Sequence, residues 1–205
     1  FETVGTAKAA DTYACGELAF VAGDYSTSFH AVNTETGTTE WSVTDSGDNA
    51  ALETFGISGA TVLQDGSPVV ASFDSGFNAH ITKLDCQGNV QWVRDITADT
   101  PDITSGPDGN IYLVSNSDKL VKLDGSDGST IWSYDLGKDL NSVQADSEGQ
   151  VYVGDASGTI HKFDGTSNSS APSSDIWAFQ TGTSATVGEI DVGSDYVYTF
   201  LYQNQ

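Results

Sequence analysis

The sequence predicts an all-β fold, a β-propeller of four-stranded antiparallel blades with about four and a half blades in its 205 residues. Three observations predict it. The four tryptophans, Trp41, Trp92, Trp132 and Trp177, follow one another at steps of 51, 40 and 45 residues. Each ends a segment with an acidic or amide turn: residues 30–41, 82–92, 121–132 and 161–177. Between them lie short runs rich in Val, Ile, Tyr and Trp, and no segment shows a sustained helical period with caps. A period of about 40–45 residues with several short strands per unit is the mark of propeller blades.

The third unit shows the elements in order. A candidate strand at 101–105 leads to the turn Pro107-Asp108-Gly109, and Asn110–Val114 follows it. Leu120–Leu123 is next, then the turn Asp124–Gly128, then Thr130–Tyr134. Strands of about five residues bounded by Gly, Asp, Asn and Ser are what short antiparallel strands look like. Gln64-Asp65-Gly66 and Ser147-Glu148-Gly149 repeat the first turn in units two and four. Glycine there supplies positive φ, and Asp or Asn closes an Asx-turn. The blades are expected at about 7–43, 49–94, 100–134 and 140–180, with a partial fifth at 186–205, all within one domain.

The units resemble PQQ-like repeats, the blades of pyrroloquinoline-quinone propellers and of non-catalytic relatives such as the outer-membrane assembly lipoprotein propellers. Residues 31–41 match the family's tryptophan-docking pattern A-x-D-x-x-T-G-x-x-x-W, with Asn33 for Asp, Gly37 and Trp41 in place. Residues 122–132 keep the spacing with Asp124, Gly128 and Trp132. The second unit is one residue short between Asp85 and Gly88, and the fourth keeps Asp164 and Trp177 around a polar insertion at 166–174. The resemblance implies that each Trp packs against a neighbouring blade, a role suited to a side chain with a large apolar area and one N–H to satisfy. Four ligand platforms, for sugars for example, are the alternative; recurrence at one place in every unit favours packing.

A propeller has to close or leave sheet edges exposed, so four and a half blades raise a question. The chain is a fragment of a larger propeller, or pairs with a second copy, or stacks openly in an assembly. The lack of an initiator Met and of a signal sequence fits a processed or truncated chain.

Charge narrows the partners. Against 29 acidic residues, 22 of them Asp, stand 7 basic ones, for a formal charge of −22. The acids are scattered through turns, which implies an evenly acidic surface. Polyanions are repelled by it, so nucleic acid is excluded, as is docking on an anionic membrane. No run reaches transmembrane length. Such surfaces are frequent at high salt, where ions screen self-repulsion. A secreted or surface-displayed protein of a saline or marine setting is expected, with an acidic periplasmic protein as the alternative.

Cys15 and Cys86 are the only cysteines and fall in adjacent units. A bridge between blades is geometrically open to them, and an extracellular setting favours it; the sequence leaves it undecided. Asn168-Ser169-Ser170 is a glycosylation sequon inside the insertion. His30 and His161 occupy equivalent positions, where unit three has Val121, so they read as strand positions rather than metal ligands, and His80 stands apart. The turn Asp124–Gly128 is oxygen-rich but lacks the spacing of a calcium loop. The enzyme branch of the resembled family has adjacent cysteines near its quinone, a calcium site and a catalytic Asp, and no motif here matches them. No catalytic, cofactor or metal residue is therefore assigned. The expected role is a non-catalytic module binding proteins, surface polymers or copies of itself. A fragment of a quinone-dependent dehydrogenase and a subunit of a filament, spike or sheath are the alternatives.

Overall fold

The structure is a computed structural model and describes residues 15–22, 28–44, 56–76, 78–96, 102–114, 118–182 and 185–202. Among them are 17 strands and no helix, every strand pairing antiparallel to its sequence neighbour within its sheet. The chain packs as two compact units, Phe1–Thr100 and Pro101–Gln205.

Unit 1 holds the three-stranded sheet β1 (Leu18–Ala22), β2 (Ser28–Asn33) and β3 (Thr39–Thr44). It also holds the four-stranded sheet β4 (Gly56–Val62), β5 (Pro68–Phe73), β6 (Ala79–Leu84) and β7 (Val90–Ile96). Trp41 lies on β3, as Trp92 lies on the fourth strand β7. The strand expected ahead of Cys15 falls outside the described residues.

Unit 2 holds β8 (Asp102–Ser105), β9 (Ile111–Val114), β10 (Lys119–Leu123) and β11 (Thr130–Asp135) as one sheet. A second sheet comprises β12 (Leu140–Ala145), β13 (Gln150–Asp155), β14 (Thr159–Asp164) and β15 (Trp177–Gln180). The two-stranded pair β16 (Thr186–Val192) and β17 (Val197–Tyr202) completes it.

Burial grades across each four-stranded sheet. The second strand is covered on both faces: β5 and β9 are buried throughout, as is β13 after its first residue. The fourth strands β7 and β15 are mostly exposed. The apolar core lies between successive sheets rather than within one. Phe20, Phe29 and Ala31 pack on Ile57, Val70 and Leu84 in unit 1. In unit 2, Tyr112, Val114, Leu120 and Trp132 pack on Leu140, Val143, Val151, Val153 and Phe163. The β17 strand departs from the gradient. It follows the first strand of its sheet, as β5, β9 and β13 do, yet Tyr198, Phe200 and Tyr202 stand 59%, 65% and 47% exposed on one face.

A bulge sits at the same place in three sheets. Opposite the tryptophan, pairing shifts by one residue between Ala31 and Val32, between Lys83 and Leu84, and between Lys122 and Leu123. The residue just before each Trp, namely Glu40, Gln91 or Ile131, is thereby left over. An extra residue bends the strand and re-aims the side chain beside it.

Candidate functional site

Each docking turn is closed by its own acidic or amide side chain. Asn33 Oδ1 accepts the backbone N–H groups of Glu35 and Thr36, each at 3.0 Å. Asp85 Oδ1 accepts those of Gln87 (2.9 Å) and Asn89 (2.8 Å). Asp124 Oδ1 takes Ser126 N–H at 2.8 Å, and Asp164 Oδ1 takes Thr166 N–H at 3.0 Å. These are Asx-turns. Hydrogen bonds to the charged form hold the Asp164 carboxyl below the usual range, Thr166 being the main donor. Gly37, Gly88 and Gly128 follow at φ of +70°, +82° and +73°, values open to glycine at no steric cost.

The turns receive tryptophans. Trp41 Nε1–H donates to the Cys86 carbonyl at 2.8 Å, and its indole lies so close to Gly88 that an added Cβ would come within 2.9 Å of the ring. Trp132 Nε1–H donates to the Ser167 carbonyl at 3.0 Å in the turn after β14. Two tryptophans thus dock on the turn after the third strand of the following sheet. The other two differ. Trp92 Nε1 is buried and finds no acceptor among the described residues. Trp177 is 39% exposed and its ring contacts Tyr152 of its own sheet.

A lysine recurs opposite the Trp: Lys83 faces Trp92, Lys122 faces Trp132 and Lys162 faces Trp177, with Ala31 there in the first sheet. The repeated K-L-D, K-L-D and K-F-D of residues 83–85, 122–124 and 162–164 is the signal that could have found it. Lys83 Nζ reaches Asp65 at 3.0 Å, in the turn between the first two strands. Lys122 is fully buried. Its Nζ meets Asp108 at 2.6 Å, the Gly165 carbonyl at 2.7 Å, the Ser167 carbonyl at 3.1 Å and Asn168 Oδ1 at 2.6 Å. Burial pushes the Asp108 carboxyl up, but hydrogen bonds from Lys122 and Asn110 outweigh it and leave the group below the usual range. Lys162 Nζ lies 5.1 Å from the centre of the Tyr152 ring. Three of seven cationic side chains thus hold blades together internally.

The insertion is anchored at its root. Lys122 and Trp132 both hold its carbonyls, and Tyr112 O–H donates to the Gly165 carbonyl at 2.7 Å.

The histidines serve hydrogen bonding. His30 lies between Ser28 Oγ (2.9 Å) and Ser42 Oγ (2.7 Å). His80 Nδ1 is 2.9 Å from Asp95. Both ring nitrogens of His161 face carboxylates, Asp155 at 3.3 Å and Asp175 at 3.1 Å. Asp155 also takes Lys138 at 2.9 Å, and these partners outweigh its burial and keep its carboxyl far below the usual range. Among the described residues no three His, Cys, Asp or Glu side chains gather as a metal-holding group. The Asp124–Gly128 turn is occupied by its own backbone, Asp127 Oδ1 taking Ser129 N–H at 2.8 Å.

Cys15 and Cys86 are joined, S–S 2.01 Å and Cα–Cα 5.2 Å, tying the segment ahead of β1 to the β6–β7 turn. Beside the bridge opens a cleft of about 670 Å³ lined by Glu17, Asn33, Glu40, Trp41, Gln87 and the disulfide. A hydrogen bond between the Glu17 and Glu35 carboxyls, with a smaller contribution from desolvation, raises Glu17 above the usual range. The lining thus carries two carboxyl groups, Glu17 and Glu40, beside the amides of Asn33 and Gln87 and the apolar Leu18 and Trp41.

The family model described as outer membrane protein assembly factor BamB matches residues 77–201, well over half of the chain. The chain belongs to this PQQ-like family. Among solved structures it is similar to BamB from Moraxella catarrhalis at 20% identity and a TM-score of 0.67. That match covers 94% of this chain and 55% of that one, so the chain spans about half the length of the BamB structure. It is also similar to a Bacteroides caccae protein of unknown function, at 14% identity and a TM-score of 0.64, covering 90% of this chain and 67% of that one. No curated protein matches the sequence. The family has the fold seen here, a β-propeller of four-stranded blades.

Proposed function

We propose that the chain is a non-catalytic binding module, working outside the cytoplasm in a saline setting, that scaffolds protein or surface-polymer partners through basic groups they present. Membership of a family described as an assembly factor supports the general role. The observation that carries the reading is the cleft beside Cys15–Cys86. Its walls are pinned by a disulfide and by an indole hydrogen-bonded to Cys86, and its polar lining includes Glu17 and Glu40. Ionising both Glu17 and Glu35 sets like charges side by side, and a cationic side chain from a partner relieves that repulsion. Pre-organised walls lower the cost of ordering on association. The bridge itself fits an oxidising compartment, and a formal charge of −22 fits high salt.

The test pairs two assays on the purified chain. Fluorescence anisotropy with a Lys/Arg-rich peptide and its Glu-substituted counterpart is expected to show binding of the basic peptide alone. The affinity should weaken severalfold in the double variant Glu17→Gln, Glu40→Gln. Equal binding of both peptides overturns the cleft reading. Turnover of alcohols or sugars with added pyrroloquinoline quinone and calcium overturns the non-catalytic one.

A further inference from the structure

We propose that Asn168 is an acceptor for N-linked glycosylation. It begins the single Asn-x-Ser/Thr triplet of the chain, Asn168-Ser169-Ser170. The sequence pattern alone is a weak sign, but the side-chain geometry selects one end of the amide. Lys122 Nζ, a group that only donates, lies 2.6 Å from the Asn168 side chain. The atom facing it is therefore the carbonyl oxygen, and Asn110 Nδ2 donates to the same oxygen at 3.2 Å. That leaves Nδ2, the atom a glycan joins, directed away from the buried ammonium. It makes no hydrogen bond among the described residues, and Asn168 itself is exposed. The insertion root around it is held from below by Trp132 and Tyr112. A sugar on Nδ2 thus meets solvent without displacing a packing contact. The Cys15–Cys86 bridge places the chain in the kind of oxidising compartment where such transfer occurs.

The co-substrate is a lipid-pyrophosphate-linked oligosaccharide. Nδ2 attacks the anomeric carbon, forming the C–N bond. The bond from that carbon to the pyrophosphate oxygen breaks, and its electron pair leaves with the lipid pyrophosphate. The proton lost from Nδ2 passes to a base of the transferase. The product is still an amide that keeps Oδ1, so Lys122 and Asn110 retain their acceptor. In the folded chain Oδ1 is already held, and the amide cannot turn into a transferase groove. Addition therefore precedes closure of the β10–β14 seam.

The experiment is secretion of the full chain from a glycosylating yeast, followed by peptide mass mapping. The expected result is a glycan mass on the Asn168 peptide, removed by peptide N-glycosidase. It is lost in Ser170→Ala and retained in Ser170→Thr. Asn168→Gln also loses it, but Ser170→Ala leaves the Lys122 contact intact and keeps the test independent of folding. A secreted chain with the Cys15–Cys86 bridge formed and Asn168 unmodified overturns the proposal. Equal modification of the purified, already folded chain in vitro overturns the ordering step and leaves Asn168 as the acceptor.

Discussion

The indole N–H of Trp132 and the main-chain carbonyl of Ser167, 35 residues apart, meet at 3.0 Å. This pairing ties the last strand of one sheet to the third-strand turn of the next, and Trp41 with Cys86 repeats it in unit 1. The two parts of the interaction separate by mutation. Trp132→Phe keeps most of the buried area and leaves the Ser167 carbonyl to Lys122 Nζ alone; the expected cost is about 1 kcal/mol. Trp132→Ala also opens a cavity among Tyr112, Val143 and Phe163, and about 3–5 kcal/mol is expected. Urea unfolding in fixed salt checks both values; equal losses would assign the whole effect to the hydrogen bond.

Lys122 is the most demanding buried group in the seam. Lys122→Met removes the ammonium and leaves the Asp108 charge and the Gly165, Ser167 and Asn168 oxygens without it. The expected destabilisation is about 3–5 kcal/mol, measured by urea unfolding.

Acid sensitivity follows from the same pair. Asp108 has its folded pKa depressed below 3.8, so its contribution is full above about pH 4 and falls away as pH drops through the folded value. Asp155, held by Lys138 and its own hairpin, adds to stability with the same sign. Unfolding midpoints measured from pH 6 down to pH 2 should therefore decline steadily below about pH 4. The slope should be shallower in Asp108→Asn, and an unchanged slope would remove Asp108 from this account.

The bridge between Cys15 and Cys86 spans 71 residues of sequence. Constraining a loop of that length in the unfolded chain is worth about 4 kcal/mol in the entropic model. Cys15→Ser is expected to lower stability by an amount of that order under oxidising conditions and to add nothing further under reducing ones. Stability that fails to fall when dithiothreitol is added to the parent chain would contradict it.

The aromatic face of β17 has a consequence in solution. An exposed strand of Val197-Tyr198-Thr199-Phe200-Leu201-Tyr202 carries no charge and no proline. The 205-residue chain is expected to sediment above its 21.5 kDa mass in molar salt. Phe200→Lys should return it toward a monomer. A parent chain that is strictly monomeric rules out this surface as self-adhesive.

The sequence made the repeat legible because its loudest residues mark it. Trp, Gly at positive φ and the Asx-forming Asn33, Asp85, Asp124 and Asp164 are local signals, each visible within a dozen residues. Strands such as Leu140–Ala145 and Thr186–Val192 fall where the turns place them. The bulges at Glu40, Gln91 and Ile131 were silent, since one unpaired residue leaves composition unchanged and only breaks a two-residue alternation already too short to read. The lysine opposite each Trp was in plain view as a repeated K-L-D or K-F-D. Its partner lies on another turn, 14–18 residues earlier for Lys122 and Lys83, so nothing local declared its role. The same holds for His161, whose two carboxylates come from a hairpin and from the residue that follows the insertion. The cleft beside Cys86 arises only when the segment ahead of β1 meets the β6–β7 turn.

The placement of the lysines also governs how the chain meets proteases. Trypsin needs Lys or Arg, and the whole chain offers seven sites. Lys83 and Lys122 are buried and Lys162 is half-covered, while Arg94, Lys119 and Lys138 are exposed. Cleavage after the buried pair must wait for a blade to open, so its rate reports local opening rather than surface access. Limited digestion should therefore cut at the exposed residues first. The pieces ending at Lys83 and Lys122 would appear last, an ordered clock for the unlocking of each blade.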